Sequence, residues 1–299
     1  MTGEKRVAPA ILAMVLLACG GGVDRASAMT RVADDAAETF EALPGVADEA
    51  TAAIESACAS GEVADFEAAS EAVAAAQERW HATEALWMGP VTDRRSNALI
   101  DWPAGVDDID ELLAATEPET IDAGYLAEFV GADTRGYGAA RQLLADAPIE
   151  GRACDYTVAA AELAASEIDE IVQAWTGAED RPFREELADP ETGIDLAVNQ
   201  LIVVLAGSEP DQLPARATSV ELVLFGDDGG SGLTAMVDDD LTARLRTETD
   251  TMIAAAQADE PDADTVAAME ELRATVATEL VAELGVTVTF SDADGDSAG

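Results

Sequence analysis

A chain of 299 residues with 61 acidic and 16 basic residues and one histidine has a formal charge of −45. That balance argues against a nucleic-acid ligand, because phosphate backbones are held by cationic side chains, and a single histidine excludes a His-rich zinc site. Hydrophobic content is ordinary at 48 % but aromatics supply only 4 %, so alanine-rich, closely packed helices are expected, in one large domain or two of ordinary size.

Such a charge opposes compactness through self-repulsion, which salt screens over a Debye length of about 10 Å at 0.1 M and about 3 Å at 1 M. Adaptation to a salty medium therefore accounts for most of the carboxylates without a metal site behind each cluster. The expected result is a melting temperature that rises between about 0.1 M and about 2 M NaCl. A flat or falling curve would remove that explanation.

At the start of the chain, Lys5 and Arg6 precede the apolar run from Val7 to Ala18, too short to span a bilayer but of signal-peptide length. Leu16-Leu17-Ala18-Cys19, followed by Gly20, Gly21 and Gly22, resembles a bacterial lipobox. Residues 1–18 then form a lipoprotein signal peptide and Cys19 becomes the lipidated first residue, anchoring the chain to a membrane. A plain secretory peptide that happens to contain a cysteine is the alternative. Cleavage removes Glu4, Lys5 and Arg6, so the charge of −45 becomes −46.

Residues 19–31 read as a tether. A helical stretch from Val32 to Ala59 is broken near Pro44-Gly45. The next helix runs from about Asp65 to Met88, with Phe66, Ala69, Val73, Ala76 and Trp80 at helical spacing and Gly89-Pro90 as its stop. An irregular segment holding Asp101-Trp102-Pro103 leads to helices at 107–115, 118–130 and 136–146. After Gly151 come helices at 154–175, 192–206, 233–257 and from about Val266 to Leu284. The apolar run Leu201 to Gly207 is too short to cross a membrane, and Val286 to Phe290 reads as a short strand. The fold class is all-α: two helical-bundle halves, 32–150 and 151–295, with a short C-terminal strand. Cys58 and Cys154 fall on helix ends in an oxidising compartment, as a disulfide or as two buried thiols.

Glu84 is the most informative position. It shares a helix face with Val73, Gln77 and Trp80, where a carboxylate must be paired, hydrogen-bonded or protonated. His81 lies three residues before it and can meet it on the adjacent turn, although two ligands do not complete a metal site. The other reading has Glu84 held by Arg79, Arg94 or Arg135. No nucleophile elbow, Walker loop or dinucleotide fingerprint occurs. Asp292-Ala293-Asp294-Gly295-Asp296 begins like a calcium loop but lacks the later glutamate.

The order and spacing of several strings carry a resemblance. They are Trp80-His81-Ala82-Thr83-Glu84-Ala85-Leu86-Trp87-Met88-Gly89-Pro90, Ile100-Asp101-Trp102-Pro103, Arg135-Gly136-Tyr137-Gly138-Ala139-Ala140-Arg141, Gly226-Asp227-Asp228-Gly229-Gly230-Ser231-Gly232-Leu233, and Leu284-Gly285-Val286-Thr287-Val288-Thr289-Phe290. Over roughly residues 32–295 the chain resembles the imelysin family in its periplasmic lipoprotein branch. The resemblance implies two helical halves facing a cleft, a cell-envelope location and an association with iron-uptake components; the family was first described as peptidases. Its Gly-x-His-x-x-Glu signature falls at Gly136 to Arg141, with Gly138 in place of the histidine and Arg141 in place of the glutamate.

Glu84 and Asp101 match acidic positions of the family, whereas His81 lies beside the motif. Cleft candidates are thus Glu84, Asp101, Arg135 and Arg141, and metal candidates His81, Glu84 and Asp101. Arg141 is expected to pair with Glu84 or Asp101. A non-enzymatic envelope module that binds a ligand or partner is the leading expectation. A protein binding iron or another divalent cation through carboxylates, and a metallopeptidase, are the alternatives.

Overall fold

The computed structural model describes residues 24–177, 181–207, 212–258 and 263–289. Cys19, Phe290 and the stretch Asp292 to Asp296 lie outside them. In chain order the α-helices are α1 (Arg25–Glu41), α2 (Leu43–Ser60), α3 (Val63–His81), α4 (Pro90–Arg94), α5 (Ser96–Ile100), α6 (Val106–Ala114), α7 (Ala123–Phe129) and α8 (Gly136–Leu144). They continue with α9 (Arg152–Thr176), α10 (Phe183–Leu187), α11 (Gly193–Val204), α12 (Leu213–Phe225), α13 (Asp239–Ala256), α14 (Ala263–Thr275) and α15 (Val281–Leu284). A π-helical stretch, Val276–Leu280, joins α14 to α15.

The first helix corrects the expected tether. Helix α1 starts at Arg25, and Ala28 and Met29 are fully buried. Small residues that look like linker in a composition count are here the close-packing face of a helix. Pro44 lies in the first turn of α2, where its missing N–H costs nothing, and Gly61 closes that helix in the left-handed region at φ 69°. Ala47, Ala50, Ile54 and Ala57 of α2 are buried, as are Phe66, Ala69, Val73 and Ala76 of α3, and the two helices pack together.

Helix α9 packs on α2, α8 and α5, and a disulfide joins Cys58 to Cys154 with Cα atoms 5.7 Å apart, tying α2 to α9. Trp175, near its end, meets Phe40 of α1 at 4.6 Å and Phe183 of α10 edge-on at 4.9 Å. One continuous buried apolar cluster runs from Met29 to Leu284. No helix among the described residues is long and apolar enough to cross a membrane.

The expected C-terminal strand is not formed: among the described residues there is no β-strand, and Val286 to Thr289 are irregular. Their backbone finds side chains of α11 in place of a neighbouring strand. The Asn199 amide donates to the Thr287 carbonyl at 3.1 Å and accepts from the Thr289 N–H at 2.8 Å, while Asp195 accepts from the Thr287 N–H at 3.4 Å. An alternating apolar pattern needs a partner strand to become a sheet, and an all-helical chain offers none.

The loop after α12 folds back on α1. Asp35 accepts from the Asp227 N–H at 3.3 Å and the Ser231 hydroxyl at 3.4 Å. Burial, reinforced by the charges of Asp227 and Asp228, raises the Asp35 pKa above the ordinary aspartate value despite those hydrogen bonds. A carboxyl with a raised folded-state pKa contributes most when protonated, below its unfolded pKa, and loses that contribution as pH rises through the folded value. Asp35→Asn keeps an acceptor oxygen and drops the charge. Its melting temperature should exceed that of the parent at pH 7, and the advantage should vanish once acid protonates Asp35. Equal melting at both pH values would show that the charge is not strained.

Candidate functional site

The turn carrying Thr83, Glu84 and Trp87 begins where α3 ends. The helix stops at His81, short of the expected Met88, because Thr83 takes over its last carbonyls. Its hydroxyl donates to the Trp80 carbonyl at 2.7 Å and accepts the Trp87 indole N–H at 2.9 Å. Trp80 and Trp87 then stack at 4.7 Å. This turn swings Glu84 off the α3 face and into a short 3₁₀ helix, Glu84–Leu86, that packs on α11 and α12. His81 stays behind, on the face towards Asp101.

Glu84 meets Arg216 of α12 in a two-pronged pair. Nε donates to one carboxylate oxygen at 2.7 Å and Nη2 to the other at 3.1 Å, with the side chains only 13 % and 3 % exposed. Planar fork-to-fork pairing is the strong form of an Arg–carboxylate contact. The surroundings reinforce it. Gln200 of α11 donates to the Glu84 carbonyl at 2.9 Å, and the Ser219 hydroxyl of α12 accepts the Ala85 N–H at 3.0 Å.

Asp101 is gripped by α3. Gln77 and His81, one helical turn apart, reach separate oxygens: Gln77 Nε2 donates to Oδ1 at 2.8 Å and His81 Nε2 to Oδ2 at 2.8 Å. Because a carboxylate only accepts, the His81 proton on this bond sits on Nε2. Nδ1 is buried with no partner among the described groups, and so is the Tyr137 hydroxyl. Burial, with Asp101 and Asp48 nearby, pushes the Tyr137 phenol well above its ordinary pKa.

The chain carrying Asp101 lies across the start of α8, and the glycines there make room for it. Gly136, at φ 72°, would place a Cβ 2.5 Å from the Ile100 carbonyl oxygen, and a Cβ on Gly138 would fall well under 3.0 Å from that of Trp102. The position that the family signature gives to histidine is therefore filled by backbone 101–102.

Of the expected residues, the structure brings together His81 and Asp101, and separates both from any contact with Arg141. The expected Arg141 pairing is not formed. Tyr137, Ala140 and Leu144 are the buried stripe of α8 and leave Arg141 exposed, without an ion pair among the described residues. Arg135 instead donates to the Ala127 carbonyl at 3.4 Å, and Arg94 forks onto Glu167 at 2.8 and 2.9 Å.

The cation that answers Glu84 is Arg216, which the sequence reading passed over together with the whole of α12. Leu213, Ala217, Val220 and Leu224 recur there at helical spacing and are buried. An arginine beside that stripe, in a chain with few cations, was the available signal.

These residues do not fit a metal centre built from His81, Glu84 and Asp101 or from the signature positions. Gly138 and Arg141 supply no ligand, Glu84 is occupied by a guanidinium, and Asp101 has both oxygens engaged. Among the described residues no three His, Cys, Asp or Glu side chains converge in a way that could hold a metal ion. Two surface depressions lie along α2 and α9, and neither is lined by Glu84, Asp101, Arg135 or Arg141.

The fold has solved counterparts. An imelysin-like protein from Psychrobacter arcticum 273-4 superposes with a TM-score of 0.72 at 16 % identity, covering 89 % of this chain and 97 % of that one. A protein described as an iron-regulated protein A precursor, from Parabacteroides distasonis ATCC 8503, gives 0.66 at 18 % identity, covering 88 % and 95 %. No curated protein matches the chain. The family model for imelysin, peptidase M75, matches residues 36–209, more than half of the sequence. The chain belongs to the imelysin family.

Proposed function

We propose that this is a non-catalytic imelysin-family protein of the cell envelope, lipid-anchored through Cys19, which binds a ligand or partner in connection with iron uptake. One observation carries the non-catalytic reading: the acids that match the family's acidic positions are answered from within the chain, Glu84 by Arg216 and Asp101 by His81 and Gln77. A carboxylate in such a clasp would have to give up charge-assisted hydrogen bonds before it could ligate a metal or polarise a water. The family itself and the relative described as iron-regulated support the envelope and iron association.

Two experiments test the two parts. Calorimetric titration of the mature protein with zinc or iron(II), against excess magnesium, should give only weak, non-saturating binding spread over the acidic surface. A one-to-one site that survives magnesium and disappears in Asp101→Asn would overturn the reading in favour of a cation-binding protein, and metal-dependent proteolysis lost with it would favour a peptidase. Mass spectrometry of envelope-extracted protein should find Cys19 acylated at the new N-terminus; a free Cys19 thiol or an intact Met1 would sink the anchor.

A further inference from the structure

The disulfide between α2 and α9 lies on the wall of a surface groove of about 450 Å³, and both of its cysteines line that groove. Cys58 is half-buried and Cys154 nearly enclosed, so Cys58 is the more accessible of the two residues. Around the same groove stand four carboxylates, Glu55, Asp122, Asp155 and Glu162. An opening onto a disulfide, ringed by one sign of charge, has two consequences for thiol chemistry: access without unfolding, and discrimination by reagent charge.

We infer that the Cys58–Cys154 bridge is a reducible tether between α2 and α9, opened through this acidic groove by positively charged thiols. A reagent thiolate attacks the Cys58 sulfur, a mixed disulfide forms there, and the bond to Cys154 breaks with the electron pair leaving on the Cys154 sulfur. A second reagent thiolate then attacks the reagent sulfur of the mixed disulfide and releases Cys58 as thiolate. Two reagent thiols become one reagent disulfide, and the protein gains two electrons and, at neutral pH, the protons its thiolates take up. Cys154 is suited to leave. It lies in the first turn of the 25-residue α9, where the unsatisfied N–H groups and helix dipole favour a thiolate against the like charge of the surrounding carboxylates, and a better-stabilised thiolate leaves faster. The rim acts on the attacking partner, repelling anionic thiolates and tolerating those that carry a compensating ammonium group.

The test is reduction of the full folded chain under native conditions by cysteamine, 2-mercaptoethanol and mercaptoethanesulfonate, with rates normalised to thiolate concentration. The rate should be first order in thiol and fall in that order, roughly tenfold per unit of reagent charge at low salt, with the spread collapsing at about 1 M NaCl. In Glu55→Gln/Asp155→Asn/Glu162→Gln, a substitution of three exposed acids, the spread should shrink at low salt as well; Glu162→Gln alone should give a graded version. A rate independent of thiol concentration would mean that only the unfolded chain is reduced. Equal rates for the three reagents, or a spread unchanged in the triple variant because the whole protein's charge produces it, would equally overturn the inference.

Discussion

Replacing Arg216 by methionine should lower the stability of the protein by about 3–5 kcal/mol, the usual cost of leaving one member of a buried ion pair without its partner. Glu84 would be left without the cation that answers it, in a site where its side chain is 13 % exposed. At about 2–4 °C per kcal/mol for a domain somewhat smaller than this one, the melting temperature should fall by roughly 10 °C. The double variant Glu84→Gln/Arg216→Met removes both charges at similar volume and should recover most of the loss, because replacing a buried pair outright is often near neutral. Equal loss in the single and double variants would mean that the cost does not come from the stranded Glu84 charge.

The second large effect is expected at Gly138. In an ordinary helix interior, glycine to alanine gains up to about 1 kcal/mol. Here the sign should reverse, because the added Cβ meets the Trp102 carbonyl oxygen, which is backbone and cannot rotate away. Gly138→Ala should cost about 1–3 kcal/mol and Gly138→His at least as much. Restoring both signature residues, as Gly138→His/Arg141→Glu, should therefore destabilise the chain and create no stoichiometric metal site, since Glu84 remains in the Arg216 clasp. Unchanged melting in Gly138→His would show that the 101–102 segment yields easily, and the claim that backbone occupies the histidine's place would fall.

How much of this was legible in the sequence differs from element to element. The spacing of Phe66, Val73 and Trp80 fixes α3 because apolar periodicity over several turns has no other reading. Its end does not follow from periodicity: the pattern continues through Glu84 and Trp87, but a single hydroxyl, Thr83, captures the Trp80 carbonyl and turns the chain. That one hydrogen bond moves Glu84 from α3 to the face of α12.

Glu84 was recognisable as a group needing a partner, since a carboxylate among tryptophans has few options. Its partner was not, because Arg216 lies 132 residues away and nothing local marks a long-range pair. Gln77 and His81 could be placed on one face from their spacing, yet Asp101, which joins them, sits in an irregular segment whose course depends on the glycines of α8. The expected role for Arg141 failed for a related reason. Motif position placed it near the acids, while the buried stripe Tyr137, Ala140 and Leu144 decides which way the helix faces.

Anomalous diffraction from crystals soaked in zinc tests the central claim most directly, namely that the chain's own side chains have closed the acidic positions of the fold. The expected result is no metal peak within coordination distance, about 2.0–2.2 Å, of a Glu84 or Asp101 oxygen, with the Arg216 fork and the His81 contact intact. A peak bound by either carboxylate, with Arg216 or His81 displaced, would contradict it.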